Sequence, residues 1–147
     1  MADLASYIRD IPDFPKAGIL FKDITTLLKD PAALDAAVRE MAGPYQDQKV
    51  DYVVGVESRG FIFGAALARE LGAGFVPIRK PGKLPAETIS ASYQLEYGED
   101  SVEIHRDGIE PGKRVLMIDD LLATGGTMEA SCKLVERLKG EIVGIAF

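Results

Sequence analysis

The chain has 147 residues, 47% apolar and 27% charged, a balance that suits one globular domain with a real core. A formal net charge of −6 argues against a nucleic-acid surface, and no apolar run approaches the length of a membrane span. The single cysteine, Cys132, excludes an internal disulfide, and the N-terminus lacks the basic-then-apolar pattern of a signal peptide, so a reduced, cytoplasmic compartment is expected.

The first strongly periodic stretch is "DPAALDAAVREMAG" (30–43). Asp30 can cap a helix there, Pro31 fits its first turn, and Leu34, Ala37, Val38 and Met41 recur at helical spacing. "DYVVGVE" (51–57) is a Val-rich run expected to form a buried strand. "GFIFGAALAREL" (60–71) predicts a helix that stops near Gly72, and "GFVPIRK" (74–80) a second strand. "KPGKLPAET" (80–88) has the composition of a mobile loop. The next stretch, 90–108, alternates and is interrupted by "YGED", which predicts an antiparallel hairpin of 90–97 against 101–106. "GKRVLMIDD" (112–120) is a third strand, "GTMEASCKLVERLKG" (126–140) the helix after it, and "EIVGIAF" (141–147) a last strand. Strands apolar on both faces that alternate with helices predict an α/β fold: a parallel sheet with helices on both faces, plus a small antiparallel hairpin.

"VLMIDDLLATGGT" (115–127) breaks several local rules at once. Four apolar residues end in Asp119 and Asp120, which repel each other, and two glycines follow. In an open parallel sheet, ligands bind beyond the carboxyl ends of the strands, where these acids fall. The turn into the next helix offers unpaired N–H groups, and its glycines let a phosphate approach the backbone. Ala123, Thr124, Gly125, Gly126 and Thr127 make up that cradle, the two threonines adding hydroxyls. Carboxylates beside phosphate need another partner, and the vicinal hydroxyls of a sugar fit. The segment therefore reads as a sugar-phosphate site, with Mg²⁺ nearby and reached from Asp119 and Asp120 through water. Competing phosphate motifs are absent: "GIEPGK" is one residue short of a Walker loop, and no GxGxxG follows a strand.

"VLMIDDLLATGGT" resembles the 5-phosphoribosyl 1-diphosphate motif of the type I phosphoribosyltransferases. "DFPKAGILFKDIT", "GVESRGFIFG" and "IRKPGKLP…SYQLEYG" narrow the resemblance to the adenine phosphoribosyltransferases, over nearly the whole chain. The resemblance implies one phosphoribosyltransferase domain, with a base-binding hood at 1–30 and a flexible loop and hairpin at 79–106. It implies transfer of the 5-phosphoribosyl group to adenine, with Mg²⁺ as cofactor, by a homodimer. Neither a nucleic acid nor a membrane is an expected partner. Ser58 and Arg59, at the carboxyl end of the first long strand, can offer amides and a guanidinium to a diphosphate. A non-proline cis peptide is implied by resemblance at Glu57–Ser58. Arg79, Lys80 and Lys83 are a solvated basic patch on the plain reading. By resemblance they belong to a lid over the diphosphate, and Arg79 can serve the neighbouring subunit. Glu96 shares a strand face with Gln94 as an ordinary surface carboxylate. By resemblance it lies near the reacting centre as a catalytic residue with Arg59, and Tyr97 lines the same place. Leu20, Phe21 and Lys22 read as early core packing. By resemblance they belong to the hood, where Phe21 stacks on adenine while the main chain of Leu20 and Lys22 reads its edge. His105 and Cys132 read as structural.

Two rivals stand beside adenine transfer: another purine base such as xanthine on the same scaffold, and a regulator that binds 5-phosphoribosyl 1-diphosphate without turnover. Relatives of this kind usually continue past "GIAF" with further strand and helix. An extension absent after Phe147 leads to the expectation of a partly open base site and an exposed apolar sheet edge.

Overall fold

The computed structural model describes residues 3–95, 97–119 and 125–147. Of the candidate site residues, Glu96, Asp120, Ala123 and Thr124 lie outside the described residues. Two compact units make up the chain, Met1–Gly43 and Pro44–Phe147.

In the first unit, strands β1 (Arg9–Pro12) and β2 (Leu20–Asp23) pair antiparallel, Arg9 opposite Asp23 and Pro12 opposite Leu20. This hairpin was not expected from the sequence. Its strands show no apolar alternation, and side chains across it pair by charge: Arg9 with Asp23, and Lys22 with Asp10 at 2.6 Å. A short helix α1 (Thr25–Leu28) and a longer one, α2 (Pro31–Ala42), follow. The start of α2 is as expected, with Pro31 in the first turn and the Asp30 side chain accepting the Ala33 N–H at 3.0 Å. Ala33, Ala37, Val38 and Ala42 form its buried stripe.

The second unit is built on a four-stranded parallel sheet. Strand β3 (Tyr52–Val56) leads into helix α3 (Arg59–Leu71) and then β4 (Gly74–Ile78); β7 (Arg114–Ile118) leads into α4 (Gly126–Arg137) and then β8 (Glu141–Ala146). The order is β4-β3-β7-β8. Val53, Val54, Val115, Leu116, Met117 and Ile118 are fully enclosed, as near-continuous apolar strands require. Alternate residues serve opposite faces. Val54, Val56, Val115 and Met117 join one core cluster with Met128 and Leu134 of α4. On the other face α3 comes so close that a Cβ on Gly64 would meet the Phe75 ring at 2.6 Å and Ile118 at 3.3 Å. The expected α/β architecture is thus present, with a helix on each face. β8 is an edge, and Ile145 and Phe147 are exposed there.

Between β4 and β7 lies the antiparallel pair β5 (Thr88–Leu95) and β6 (Gly98–His105). The hairpin is real, but its register corrects the expectation. "YGED" does not interrupt it: Leu95 pairs with Gly98, and Glu99 and Asp100 already belong to β6. Gly98, at φ +106°, takes the backbone conformation that starts the return strand. The inner face of the hairpin supplies Ile89, Val102 and Ile104 to the α4-side core. The second sheet strand also ends earlier than expected, at Ile78, and Arg79 pairs instead with Glu103 of β6.

Candidate active site at the carboxyl end of the sheet

Three neighbouring strands end together. β3 lies between β4 and β7, with Val56 opposite Ile78 and Gly55 opposite Ile118. The residues after each strand, Glu57–Gly60 after β3, Arg79 after β4 and Asp119 after β7, therefore share one rim. The approach of the first and last is tight. A Cβ on Gly60 would lie 3.2 Å from the Ile118 carbonyl oxygen and 3.6 Å from Asp119 Oδ1. The loop that carries Ser58 and Arg59 is thus pressed against the acid at the end of β7. Its Glu57–Ser58 peptide is cis, as the resemblance implied.

The turn into α4 lies on the same chain path. Gly125 is its N-cap at φ +85°, a left-handed conformation that suits glycine. Thr127 sits in the first turn and its carbonyl accepts the Ser131 hydroxyl at 2.7 Å. Between this helix start and β5 opens a polar cleft of about 360 Å³, with Ser92, Gln94, Gly126, Glu129 and Lys133 on its walls. Gly126 at the partly positive start of the helix lines this cleft, an arrangement that suits an anion.

The basic residues after β4 are held by acids. Glu57 Oε2 accepts from Lys83 Nζ at 2.6 Å, Oε1 accepts the Lys80 N–H at 2.6 Å, and Arg79 Nε stands 3.4 Å from Oε1. Burial pushes the Glu57 pKa up, but the Lys83 and Lys80 hydrogen bonds and the nearby cations outweigh it, so the group stays below the usual range. The Lys80 ammonium pairs with Asp100 and donates to the Tyr93 hydroxyl at 2.7 Å. Arg79 is also fixed through its backbone, with Arg79 N–H to Glu103 O at 3.0 Å and the return bond at 2.7 Å. Its guanidinium carbon lies 5.8 Å from the centre of the Phe61 ring.

The structure thus brings Ser58, Arg59, Arg79, Lys83 and Asp119 to one rim, with Gly125, Gly126 and Thr127 opening α4. Tyr97 stands 90% exposed at the hairpin tip. Leu20, Phe21 and Lys22 belong to β2 of the first unit. There Leu20 is exposed, and Phe21 meets Phe14 edge to face with ring centres 5.2 Å apart. Sequence reasoning gave no role to Glu57, Tyr93 or Asp100. Their signal is weak, since the pairs that define them span stretches of chain with no common motif.

A parallel sheet with this strand order, an acid at the end of β7 and a glycine turn into the next helix define a phosphoribosyl transferase domain, and the family model of that description matches residues 23–147. Adenine phosphoribosyltransferase of Halothermothrix orenii is 59% identical over 145 residues, covering 99% of this chain and 85% of that protein. That of Rhodopirellula baltica is 62% identical over 145 residues, covering 99% of this chain and 70% of that protein. Among solved structures, the adenine phosphoribosyltransferase of Rhodothermus marinus matches with a TM-score of 0.93 at 58% identity, covering 98% of this chain and 82% of that one. The Saccharomyces cerevisiae enzyme, complexed with an imino-altritol bisphosphate and adenine, matches at 0.88 and 39% identity, covering 97% and 86%. The chain belongs to the adenine phosphoribosyltransferase family.

Proposed function

We propose that the chain transfers the 5-phosphoribosyl group from 5-phosphoribosyl 1-diphosphate to adenine, giving AMP and diphosphate in purine salvage. The observation that carries this is the close approach of the Gly60 turn to Asp119, an arginine-bearing loop beside an acid at the strand ends. Asp119, with Asp120, accepts hydrogen bonds from the ribose hydroxyls. The turn of Ala123, Thr124, Gly125, Gly126 and Thr127 holds the 5′-phosphate at the positive end of α4. Ser58, Arg59, Arg79 and Lys83 take the diphosphate. Leu20 and Lys22 read the adenine edge through their main chain, and Phe21 stacks on the ring. Glu96, with Tyr97 beside it, serves the reacting centre by handling the proton of the base or steadying positive charge on the sugar.

Displacement at the anomeric carbon develops positive charge on the sugar and negative charge on the leaving diphosphate. The protein's part is to position and to stabilise charge, with no covalent nucleophile. Among the described residues no group of three or more His, Cys, Asp or Glu side chains could cage a metal ion. Mg²⁺ would be held mainly by substrate oxygens and water, within reach of Asp119 and Asp120, and would supply charge neutralisation on the diphosphate. A homodimer in the cytoplasm is the proposed working form. No described helix is long and apolar enough to cross a membrane.

The test is a panel of adenine, hypoxanthine, guanine and xanthine with the co-substrate and Mg²⁺, scored by diphosphate release and by nucleotide formed. Adenine alone should give rapid release with stoichiometric AMP. Faster turnover of xanthine would assign another base. Tight co-substrate binding with no release from any base would make the chain a regulator.

A further inference from the structure

Glu57 stands among the cationic groups that the proposed diphosphate site needs. Its side chain is 11% exposed, while Lys83 and Arg79 beside it are 47% and 36% exposed. One carboxylate thus collects the Lys83 ammonium, the Lys80 amide and the flank of the Arg79 guanidinium. The set is not saturated. Arg79 Nε is buried and makes no hydrogen bond among the described residues, and a buried donor left without an acceptor is costly. Two oxygens and one charge leave a donor over; a diphosphate brings more of both.

We propose that Glu57 is an internal counter-ion that keeps Arg79, the Lys80 amide and Lys83 ordered in the substrate-free chain and yields them when diphosphate binds. This rests on the phosphoribosyl-transfer reading and adds a positioning residue to it. The exchange is local. The ammonium of Lys80 stays with Asp100 and Tyr93, and the backbone of Arg79 stays bridged to Glu103, so neither anchor depends on Glu57. The bound anion must break the Lys83 pair and then sit near a carboxylate of like charge. Glu57 therefore weakens anion binding while preserving the geometry that makes it selective, and it speeds the departure of product diphosphate.

Glu57→Gln separates these effects, because the amide oxygen still accepts the Lys80 N–H while the charge is gone. Inorganic diphosphate, titrated calorimetrically into the full chain without metal, should bind Glu57→Gln about two- to five-fold tighter than wild type, the scale of one partly exposed ion pair. KM for 5-phosphoribosyl 1-diphosphate and kcat should fall together, whereas a merely structural lesion would lower kcat/KM and leave diphosphate no tighter. Most of the gain should vanish in a Lys83→Met background, where no lysine charge is left to release and only the relief of like-charge repulsion remains. Glu57→Asp keeps the charge but shortens the reach, should fall between, and decides the matter if Glu57→Gln does not fold. Equal or weaker diphosphate binding by the folded variant, or a gain undiminished in Lys83→Met, overturns the counter-ion role alone. Wild type that binds no diphosphate either without metal or with Mg²⁺ present overturns the functional reading and this inference with it.

Discussion

A Cβ on Gly60 would press on the backbone at the end of β7, 3.2 Å from the Ile118 carbonyl oxygen, and would lie 3.6 Å from Asp119 Oδ1. A carbonyl already fixed in a sheet has little room to yield, so Gly60→Ala should push the Ser58–Arg59 loop away from Asp119 by a few tenths of an ångström. Such misplacement is expensive for a reaction that depends on positioning. We expect kcat/KM to fall by an order of magnitude or more with only a small change in Tm, measured by steady-state kinetics beside thermal unfolding. Asp23 illustrates a residue whose charge serves the fold instead. The Thr25 hydroxyl donates to its carboxylate at 2.6 Å, the Thr25 N–H at 2.9 Å and Arg9 Nε at 3.0 Å. These bonds, the Thr25 hydroxyl first, hold its pKa at about 2 against an ordinary 3.8. A carboxylate depressed in the folded state adds stability that is present above the unfolded value and is lost as pH falls through the folded one. Acid unfolding followed by circular dichroism should therefore steepen between about pH 4 and 2 in wild type, and Asp23→Asn should flatten that limb.

The elements that the sequence predicts well are those with a period and a stop. α2 has an Asp cap, a first-turn proline and an apolar stripe, and α3 ends where Gly72 takes φ +69° while its N–H bonds back to the Ala68 and Arg69 carbonyls. A Cβ at Gly72 would meet nothing within 4 Å, so only backbone strain opposes a side chain there. Gly72→Ala should cost about 1 kcal/mol, read from denaturant midpoints at unchanged m-value, with no effect on substrate KM. Where the stop signal is ambiguous, the sequence misleads. "YGED" contains turn-forming residues, yet Asp100 is needed in β6 as the partner of Lys80, and the chain turns earlier. The β1–β2 hairpin carries no apolar alternation to read, because cross-strand ion pairs link its two strands. Asp119 was legible because two acids at the end of an apolar strand conflict with every local preference. Glu57 was not, because its partners lie 23 and 26 residues away and become neighbours only when β3 and β4 pair.

At the scale of the whole molecule, the site depends on a sheet whose ends cannot drift, and the core on the α4 side keeps them in place. Leu134 is fully buried in that cluster with Val115, Met117, Val102 and Ile104, which come from the sheet and from the hairpin. Removing its side chain leaves a void shared by three elements, and a Leu→Ala change of this kind costs about 2–5 kcal/mol. The position is also well separated from the chemistry. Eight residues along α4 from Gly126, it stands about 12 Å down the helix axis from the start of that helix. Leu134→Ala should accordingly lower the denaturant midpoint and Tm while the folded protein keeps the wild-type KM for 5-phosphoribosyl 1-diphosphate at temperatures well below the transition. If KM rises in step with the loss of stability, packing under α4 tunes the start of that helix directly, and fold and site are not separable there. An unchanged KM, set beside the collapse of kcat/KM expected for Gly60→Ala, would show that activity answers to contacts at the rim and stability to contacts beneath it.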